Sequence, residues 1–142
     1  MTRSYEASAD IAASPERVWA VLTDGAAWTA WDSGVDGVEG AIAPGATITI
    51  RSKAAPGRAF PVKVTTFDAP EALVFSCGMP LGLFTGVRTY RLTPTDGGAG
   101  TRFEMREVYG GPLLGLMWRS MPDLAPSFRQ FAAGLKARAE AG

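Results

Sequence analysis

The stretch TYRLTPTDGGAGTRFEM, residues 89–105, decides the fold, because it holds two strand-like segments around a glycine-rich loop. The loop at 94–101 has the glycine content of a hairpin connection, so the flanking segments are expected to pair antiparallel. Pairing Leu92 with Phe103 makes apolar residues meet apolar residues and positive charges meet negative ones. A shift of one residue would mix the two faces, and the sequence therefore predicts this register.

The same register assigns partners to the neighbouring residues of the hairpin. It predicts four further pairs: Tyr90 with Met105, Arg88 with Glu107, Arg91 with Glu104, and Val87 with Val108. The face that carries Tyr90, Leu92, Phe103 and Met105 is expected to be the concave face of the sheet.

Outside this hairpin, short β-branched and aromatic runs alternate with glycine and proline from residue 35 onward. They predict strands at 35–42, 46–52, 60–67, 72–77, 84–93 and 102–109. Because the connections are short, we expect an antiparallel meander.

The N-terminal part predicts a strand at 4–11 followed by two short helices. Ser14 can cap a helix whose first turn contains Pro15, and Asp24-Gly25 supplies the stop. A second helical turn at 26–31 would place Trp28 and Trp31 on one face. These two rings have two interpretations, as anchors of the helix on the sheet or as stacking partners of an aromatic ligand.

The C-terminal part changes to helical periodicity after Pro112. Apolar residues recur in steps of three and four at Leu114, Met117, Met121, Leu124, Phe128, Phe131 and Leu135. Pro122 and Pro126 each remove a backbone donor, so the helix is expected to kink or restart near Met121, with its stronger half after Pro122.

Composition and charge narrow the function classes. A chain of 142 residues with 46% hydrophobic and 20% charged residues fits one globular domain, spanning 1–142. Fourteen basic and fourteen acidic side chains cancel, which argues against a nucleic-acid partner. No apolar run approaches the roughly 20 residues of a membrane span, and residues 1–10 do not resemble a signal peptide. We therefore expect a cytoplasmic protein.

The residues of cofactor and metal chemistry are scarce. The chain has one cysteine, Cys77, and no histidine, so the usual zinc, haem and iron ligand sets cannot be assembled. Without a histidine base, Cys77 is better interpreted as an inert thiol than as a nucleophile. Nucleotide-binding glycine loops are also missing. We expect no cofactor and no metal.

Several segments resemble one superfamily over nearly the whole chain. They are IAASPERVWAVLTD at 11–24, AWTAWDSGV at 27–35, APGATITIR at 43–51, the hairpin stretch at 89–105, and the final amphipathic helix. They are similar to the START-like (SRPBCC) superfamily, which includes polyketide cyclases and Bet v 1-like pollen-allergen carriers. The resemblance implies an α+β helix-grip fold, with a curved antiparallel sheet of six or seven strands around a long C-terminal helix.

The same resemblance implies a ligand but not a reaction. Members of the superfamily bind lipids, sterols, polyketides or aromatic metabolites between sheet and helix, and only some are enzymes. No residue here matches a catalytic motif of the family, so whether the chain is an enzyme stays open.

Strand parity and helical spacing nominate the wall of an apolar cavity. The predicted ligand-binding residues are Trp31, Ile50, Val62, Val64, Phe75, Cys77, Tyr90, Phe103, Met105, Met117, Met121 and Phe128. Each of them has the alternative of simply packing as core. Met79, Met117 and Met121 either fill gaps or suit a pocket of loose selectivity.

Arg88 and Glu107 form the most specific polar site that the sequence predicts. Charges that point into an apolar cavity are costly unless they are paired or matched by a ligand, so the pair would orient a carboxylate, phenolate or enolate. The alternative is a partly solvated cross-strand ion pair. If the chain is an enzyme, Glu107, Arg88, Tyr90 and Asp32 are the catalytic candidates for an aldol-type cyclisation.

Three functions from different classes follow. The leading hypothesis is a binding protein for a small hydrophobic or aromatic metabolite, as a monomer or homodimer. The second is a cofactor-independent polyketide cyclase or aromatase. The third is an interaction module resembling activators of a chaperone ATPase, which would show a filled interior and a wide exposed apolar patch.

Overall fold

The computed structural model describes residues 3–141, which form seven strands and three α-helices. The strands are β1 (Arg3–Ile11), β2 (Val35–Glu39), β3 (Thr47–Ser52), β4 (Phe60–Asp68), β5 (Ala72–Gly78), β6 (Thr85–Thr95) and β7 (Gly100–Gly110). The helices are α1 (Pro15–Thr23), α2 (Leu114–Trp118) and α3 (Ala125–Ala141). Short 3₁₀ helices lie at Gly25–Ala30, Pro80–Gly82 and Asp96–Gly98.

All seven strands form one antiparallel sheet in the order β1-β7-β6-β5-β4-β3-β2. The sheet curls around α3, and the two short helices after β1 cover one end of its concave face. The predicted helix-grip architecture is therefore confirmed.

The predicted hairpin register is confirmed, and the loop is shorter than expected. β6 and β7 pair Leu92 with Phe103 and, on the same side, Tyr90 with Met105 and Arg88 with Glu107. Strand pairing continues to the last pair before the turn, Thr95 with Gly100. The turn itself therefore needs only the 3₁₀ segment, where Asp96 and Gly97 adopt φ values of 51° and 68°.

The first helix after β1 begins and ends where the sequence indicated, whereas the second helical segment, predicted at 26–31, lies at Gly25–Ala30. The Ser14 side chain accepts a hydrogen bond from the backbone N–H of Arg17, which caps α1, and Asp24 ends the helix. The next segment is a 3₁₀ helix rather than an α-helical turn. Within it Trp28 is completely buried, and its Nε1 donates to the carbonyl oxygen of Leu22 at 3.0 Å. Trp28 is therefore an anchor of the fold.

The C-terminal helix is interrupted as predicted, but by one proline instead of two. Residues 119–124, which include Pro122, separate α2 from α3. Pro126 lies in the first turn of α3, where the backbone N–H has no helical partner to lose, so the helix tolerates it. The longer half lies after Pro122, and it carries Phe128, Phe131 and Leu135 on its buried face.

The interior under the sheet has two parts, separated by Phe131. The first, here called the filled end, is closed by α1, the 3₁₀ helix Gly25–Ala30 and the C-terminal half of α3. Several of its side chains are at most 1% exposed, among them Val18, Leu22, Trp28, Ile48, Val64, Leu73, Tyr90, Phe103 and Leu135. The second, here called the hollow end, lies on the other side of Phe131, beneath α2 and residues 119–124. Across residues 3–141, no helix is both long and apolar enough to cross a membrane.

Candidate functional site

A cavity of about 230 Å³ occupies the hollow end, between the sheet and the interrupted helix. Most of its wall is apolar, and α2, residues 119–124 and the start of α3 form its cover. The sheet contributes chiefly Ile50, Val62, Phe75, Cys77, Arg88, Met105, Glu107 and Tyr109, and the cover contributes Met117, Met121, Pro122, Leu124, Ser127, Phe128 and Phe131. Loop residues that complete the wall include Ser33, Gly34, Ala54, Ala55 and Phe84.

Two local features keep this volume open. Small residues such as Ser33, Ala54 and Ala55 line the cavity, so they leave more of it open than large side chains would. The helix is also broken between Trp118 and Ala125, so no continuous helix with long apolar side chains lies along this part of the sheet. The side chains that line the hollow end therefore do not fill the space that they enclose.

Arg88 and Glu107 lie inside the cavity as a direct ion pair. Because they are cross-strand neighbours on the concave face, Arg88 Nε donates to Glu107 Oε1 at 2.7 Å. The Glu107 side chain is only 10% exposed, and the Arg88 guanidinium lies 4.8 Å from the ring centroid of Phe128. Pairing and the contact with the aromatic face offset the cost of placing these charges in an apolar wall.

Burial and the ion pair together set the protonation of Arg88 and Cys77. Burial by itself lowers the pKa of Arg88, but Glu107, Tyr90 and Tyr109 together outweigh it and the net pKa is raised, so the guanidinium stays charged. Burial raises the pKa of Cys77, the nearby Glu107 raises it further, and Arg88 only partly opposes them. The thiol therefore stays protonated, which agrees with its interpretation as an inert residue.

Two buried tyrosines flank the ion pair. Tyr109 lines the cavity at 3% exposure, and its hydroxyl has no hydrogen-bond partner among residues 3–141. Burial, reinforced by Glu107, raises the pKa of Tyr109, so it is a neutral phenol. The Tyr90 hydroxyl likewise lacks a partner in the described chain, and burial raises its pKa although Arg88 opposes this. Tyr109 thus offers an unused polar atom to a molecule in the cavity.

Eight of the twelve nominated ligand-binding residues line the cavity. They are Ile50, Val62, Phe75, Cys77, Met105, Met117, Met121 and Phe128. Trp31, Val64, Tyr90 and Phe103 do not. Val64, Tyr90 and Phe103 belong to the filled end, where Tyr90 and Phe103 pack against Phe131 with ring centroids 5.7 and 6.4 Å away. Strand parity identified the correct face, but not the side of Phe131 on which a residue lies.

Trp31 and Asp32 also lie outside the cavity wall, because both belong to a segment that packs against α3. Trp31 packs on Phe131 at 5.2 Å and closes the core. Asp32 is exposed, and its Oδ1 accepts a hydrogen bond from Gln130 Nε2 at 2.6 Å. The missing side chain of Gly134 lets α3 approach this segment, since a Cβ there would overlap the carbonyl oxygen of Asp32. The sequence nominated Asp32 as a catalytic candidate, but it is exposed and does not line the cavity.

Sequence reasoning also missed several wall residues. Tyr109 continues the alternation of Phe103, Met105 and Glu107 on β7, so parity could have found it. Phe84 has the parity of Arg88 and Tyr90 in the predicted strand 84–93, so alternation could have found it as well. Ser33 lies outside the regular strands, and no periodic signal marks it.

Fold and cavity together define a helix-grip domain for hydrophobic ligands. A family model described as "Polyketide cyclase / dehydrase and lipid transport" matches residues 2–140, and the chain belongs to this family. The predicted membership of the START-like superfamily is therefore confirmed.

Solved structures with the same fold cover nearly the whole chain. An aromatase/cyclase from Streptomyces sp. R1128 has a TM-score of 0.75 at 14% identity, over 99% of this chain and 94% of that one. A point mutant of norcoclaurine synthase from Thalictrum flavum, in complex with a transition-state analogue, has a TM-score of 0.72 at 16% identity, over 98% and 94%. A protein from Thermus thermophilus has a TM-score of 0.71 at 21% identity, over 98% of both chains.

At these identities the likeness to solved structures shows the fold alone. A search of curated proteins returns no match to this sequence.

Proposed function

We propose that the protein binds a small hydrophobic or aromatic molecule in the cavity of the hollow end. The observation that carries this proposal is the unfilled volume of about 230 Å³ in an interior that is otherwise closely packed. Protein interiors contain few voids larger than a water molecule, because each void forfeits packing contacts. A void of this size supports a binding role better than a structural one.

The volume limits the size of the ligand. An engineered apolar cavity of about 150 Å³ holds benzene, with its six carbons, so 230 Å³ suits about nine non-hydrogen atoms. This volume lies slightly below the range of roughly 300–1,000 Å³ typical of ligand pockets. The proposed ligand is therefore a molecule with one ring, or one segment of a longer molecule.

Methionine methyl groups offer a direct test that needs no knowledge of the natural ligand. Met105, Met117 and Met121 line the cavity, whereas Met79 does not. With methyl-labelled methionine, isopropylbenzene is expected to shift the first three NMR signals and to leave that of Met79 unchanged. Native mass spectrometry of freshly purified protein would then look for a co-purifying molecule.

A matched pair of variants at Cys77 provides the control. Cys77→Leu adds apolar atoms to the wall and should weaken isopropylbenzene binding at least tenfold, whereas Cys77→Ala leaves the space open and should bind it. Equal binding by both variants, or shifts that include Met79 alone, would contradict binding in this cavity.

A cyclase activity is the second candidate, and the arrangement of Glu107, Arg88 and Tyr109 favours it. A carboxylate can accept a proton, and a guanidinium or phenol can stabilise a developing oxyanion. The likeness to an aromatase/cyclase is consistent with this chemistry. Asp32 lies on the surface and Tyr90 lies outside the cavity wall, so neither supports the role that the sequence suggested.

Cyclisation of 2,6-heptanedione tests this candidate with a probe of nine non-hydrogen atoms. Removal of a proton from one methyl group allows a carbon–carbon bond to the distant carbonyl, and loss of water leaves 3-methylcyclohex-2-enone. Acceleration over buffer that disappears in Glu107→Gln, while isopropylbenzene still binds, would favour catalysis. No acceleration by the wild type would leave binding as the better-supported function.

The interaction-module hypothesis receives the least support, because it predicted a filled interior. The cytoplasmic location stays a prediction.

A further inference from the structure

We propose that Glu107 selects the charge of the ligand: by neutralising Arg88 inside the cavity, it makes the site prefer a neutral carbonyl or phenol over a carboxylate of the same size. This inference rests on the ligand-binding function proposed above, and it names the chemical class that this site accepts.

The first step is the charge of the polar wall. Arg88 and Glu107 are both paired within the cavity at 2.7 Å, so their charges cancel where a ligand would contact them. Arg58 is the other charged residue of the lining, and it is exposed to solvent, where water and salt screen it. The buried wall therefore presents no net positive charge to attract an anion.

The second step is the set of donors that remain. Arg88 uses Nε for Glu107, and among residues 3–141 its two Nη atoms form no hydrogen bond. The Tyr109 hydroxyl is buried in the wall without a partner in the described chain. A carbonyl or phenolic oxygen can accept from these groups, and leaving them unpaired in an empty apolar cavity is costly.

The third step is the penalty for an anion. A carboxylate that reached the same donors would have to lie close to Glu107, in a wall that is mostly apolar. Two like charges at short range in a poorly hydrated space disfavour each other's ionised form. Loss of hydration adds to this, so the anion needs either protonation or displacement of Glu107.

Three probes with nine non-hydrogen atoms each separate charge from size: acetophenone is neutral with one carbonyl, benzoate is an anion at neutral pH, and isopropylbenzene has no polar atom. Their affinities are measured at pH 7 through the methionine methyl signals of the cavity. We expect the wild type to bind acetophenone at least tenfold more tightly than benzoate.

Glu107→Gln keeps the size of the side chain and uncovers the charge of Arg88. In this variant the affinity for benzoate is expected to rise at least tenfold and to overtake that for acetophenone, while isopropylbenzene changes little. Tyr109→Phe removes one donor without changing the ring, and it should weaken acetophenone several-fold with isopropylbenzene unaffected. Circular dichroism of each variant verifies its folding.

The outcomes distinguish this inference from the function on which it rests. If isopropylbenzene binds in the cavity but the wild type takes benzoate as tightly as acetophenone, the charge selection is wrong and ligand binding stands. If none of the three probes shifts Met105, Met117 or Met121, ligand binding itself fails. Should Glu107→Gln not fold, the wild-type ranking and Tyr109→Phe still decide the matter.

Discussion

The filled end and the hollow end share the same curved sheet, yet only one of them is packed solid. At the filled end, Leu22 and Trp28 reach the sheet from one side and Leu135 from another, and all three are completely buried. At the hollow end, the cover consists of α2 and the irregular segment 119–124. Side chains of this cover line the cavity but do not fill it. The comparison teaches that the helical cover, rather than the sheet, decides where space remains.

Phe131 marks the boundary between the two ends. Its ring touches Trp28 at 5.0 Å and Tyr90 at 5.7 Å on the filled side, and it also forms part of the cavity wall. A single aromatic side chain on α3 therefore separates the closely packed part of the interior from the part that contains the cavity.

The largest expected effect is a difference in the free energy of unfolding between one substitution at the filled end and one at the hollow end. Phe103→Ala removes a completely buried ring from the filled end and should lower the free energy of unfolding by about 3–5 kcal/mol. Met117→Ala acts on a partly exposed side chain at the cavity and should cost about 1 kcal/mol or less. Urea denaturation measures both. Equal losses would mean that the hollow end is as tightly packed as the filled one.

A middle-sized effect is expected from the charges at the hollow end. Glu107→Gln leaves Arg88 without its anion in a largely apolar wall, and it should cost about 1–3 kcal/mol of unfolding free energy. Arg51 and Glu39 form the matched control, because this pair joins β2 and β3 at the surface. Glu39→Gln should change stability by about 0.5 kcal/mol or less. A larger effect at Glu39 than at Glu107 would refute the difference in burial as the cause.

The smallest effect concerns pH. Cys77 and Tyr109 both have raised pKa values in the folded protein, so the folded state keeps protons that the unfolded chain loses above its ordinary values of 9.0 and 10.0. Unfolding then releases protons, and stability falls as the pH rises through that range. We expect the free energy of unfolding to fall by about 1 kcal/mol between neutral pH and a pH about one unit above 9.0.

Variants assign this alkaline loss to the hollow end. Tyr109→Phe combined with Cys77→Ala removes two of the three groups whose pKa is raised and leaves Tyr90 in place. The urea midpoint should therefore vary less with pH than in the wild type. A pH dependence that is unchanged in the double variant would place its origin elsewhere in the molecule.

Local patterns predicted the parts of the fold that depend on neighbouring residues. The β6–β7 register followed from side-chain alternation, because a shift of one residue would exchange the two faces of the hairpin. Ser14 and Pro122 marked a helix start and a helix break through their own backbone chemistry. The ion pair of Arg88 and Glu107 followed from the same register.

Patterns could not locate the cavity along the strands. Tyr90 and Met105 are opposite each other on the concave face, yet only Met105 lines the cavity, since Phe131 covers Tyr90. Asp32 is another example, because its position depends on the close approach of α3 at Gly134, more than a hundred residues away in the chain.

The sequence by itself determined the sheet, its register, the interrupted helix and the pairing of two charges on the concave side, because each of these depends on periodicity or on the chemistry of adjacent residues. Only the tertiary structure decided which end of the interior is filled, that Tyr109 keeps a free hydroxyl there, and that Asp32 lies on the surface. The volume of the cavity and the burial of a side chain depend on segments that are distant in the chain, so no local sequence pattern predicts them.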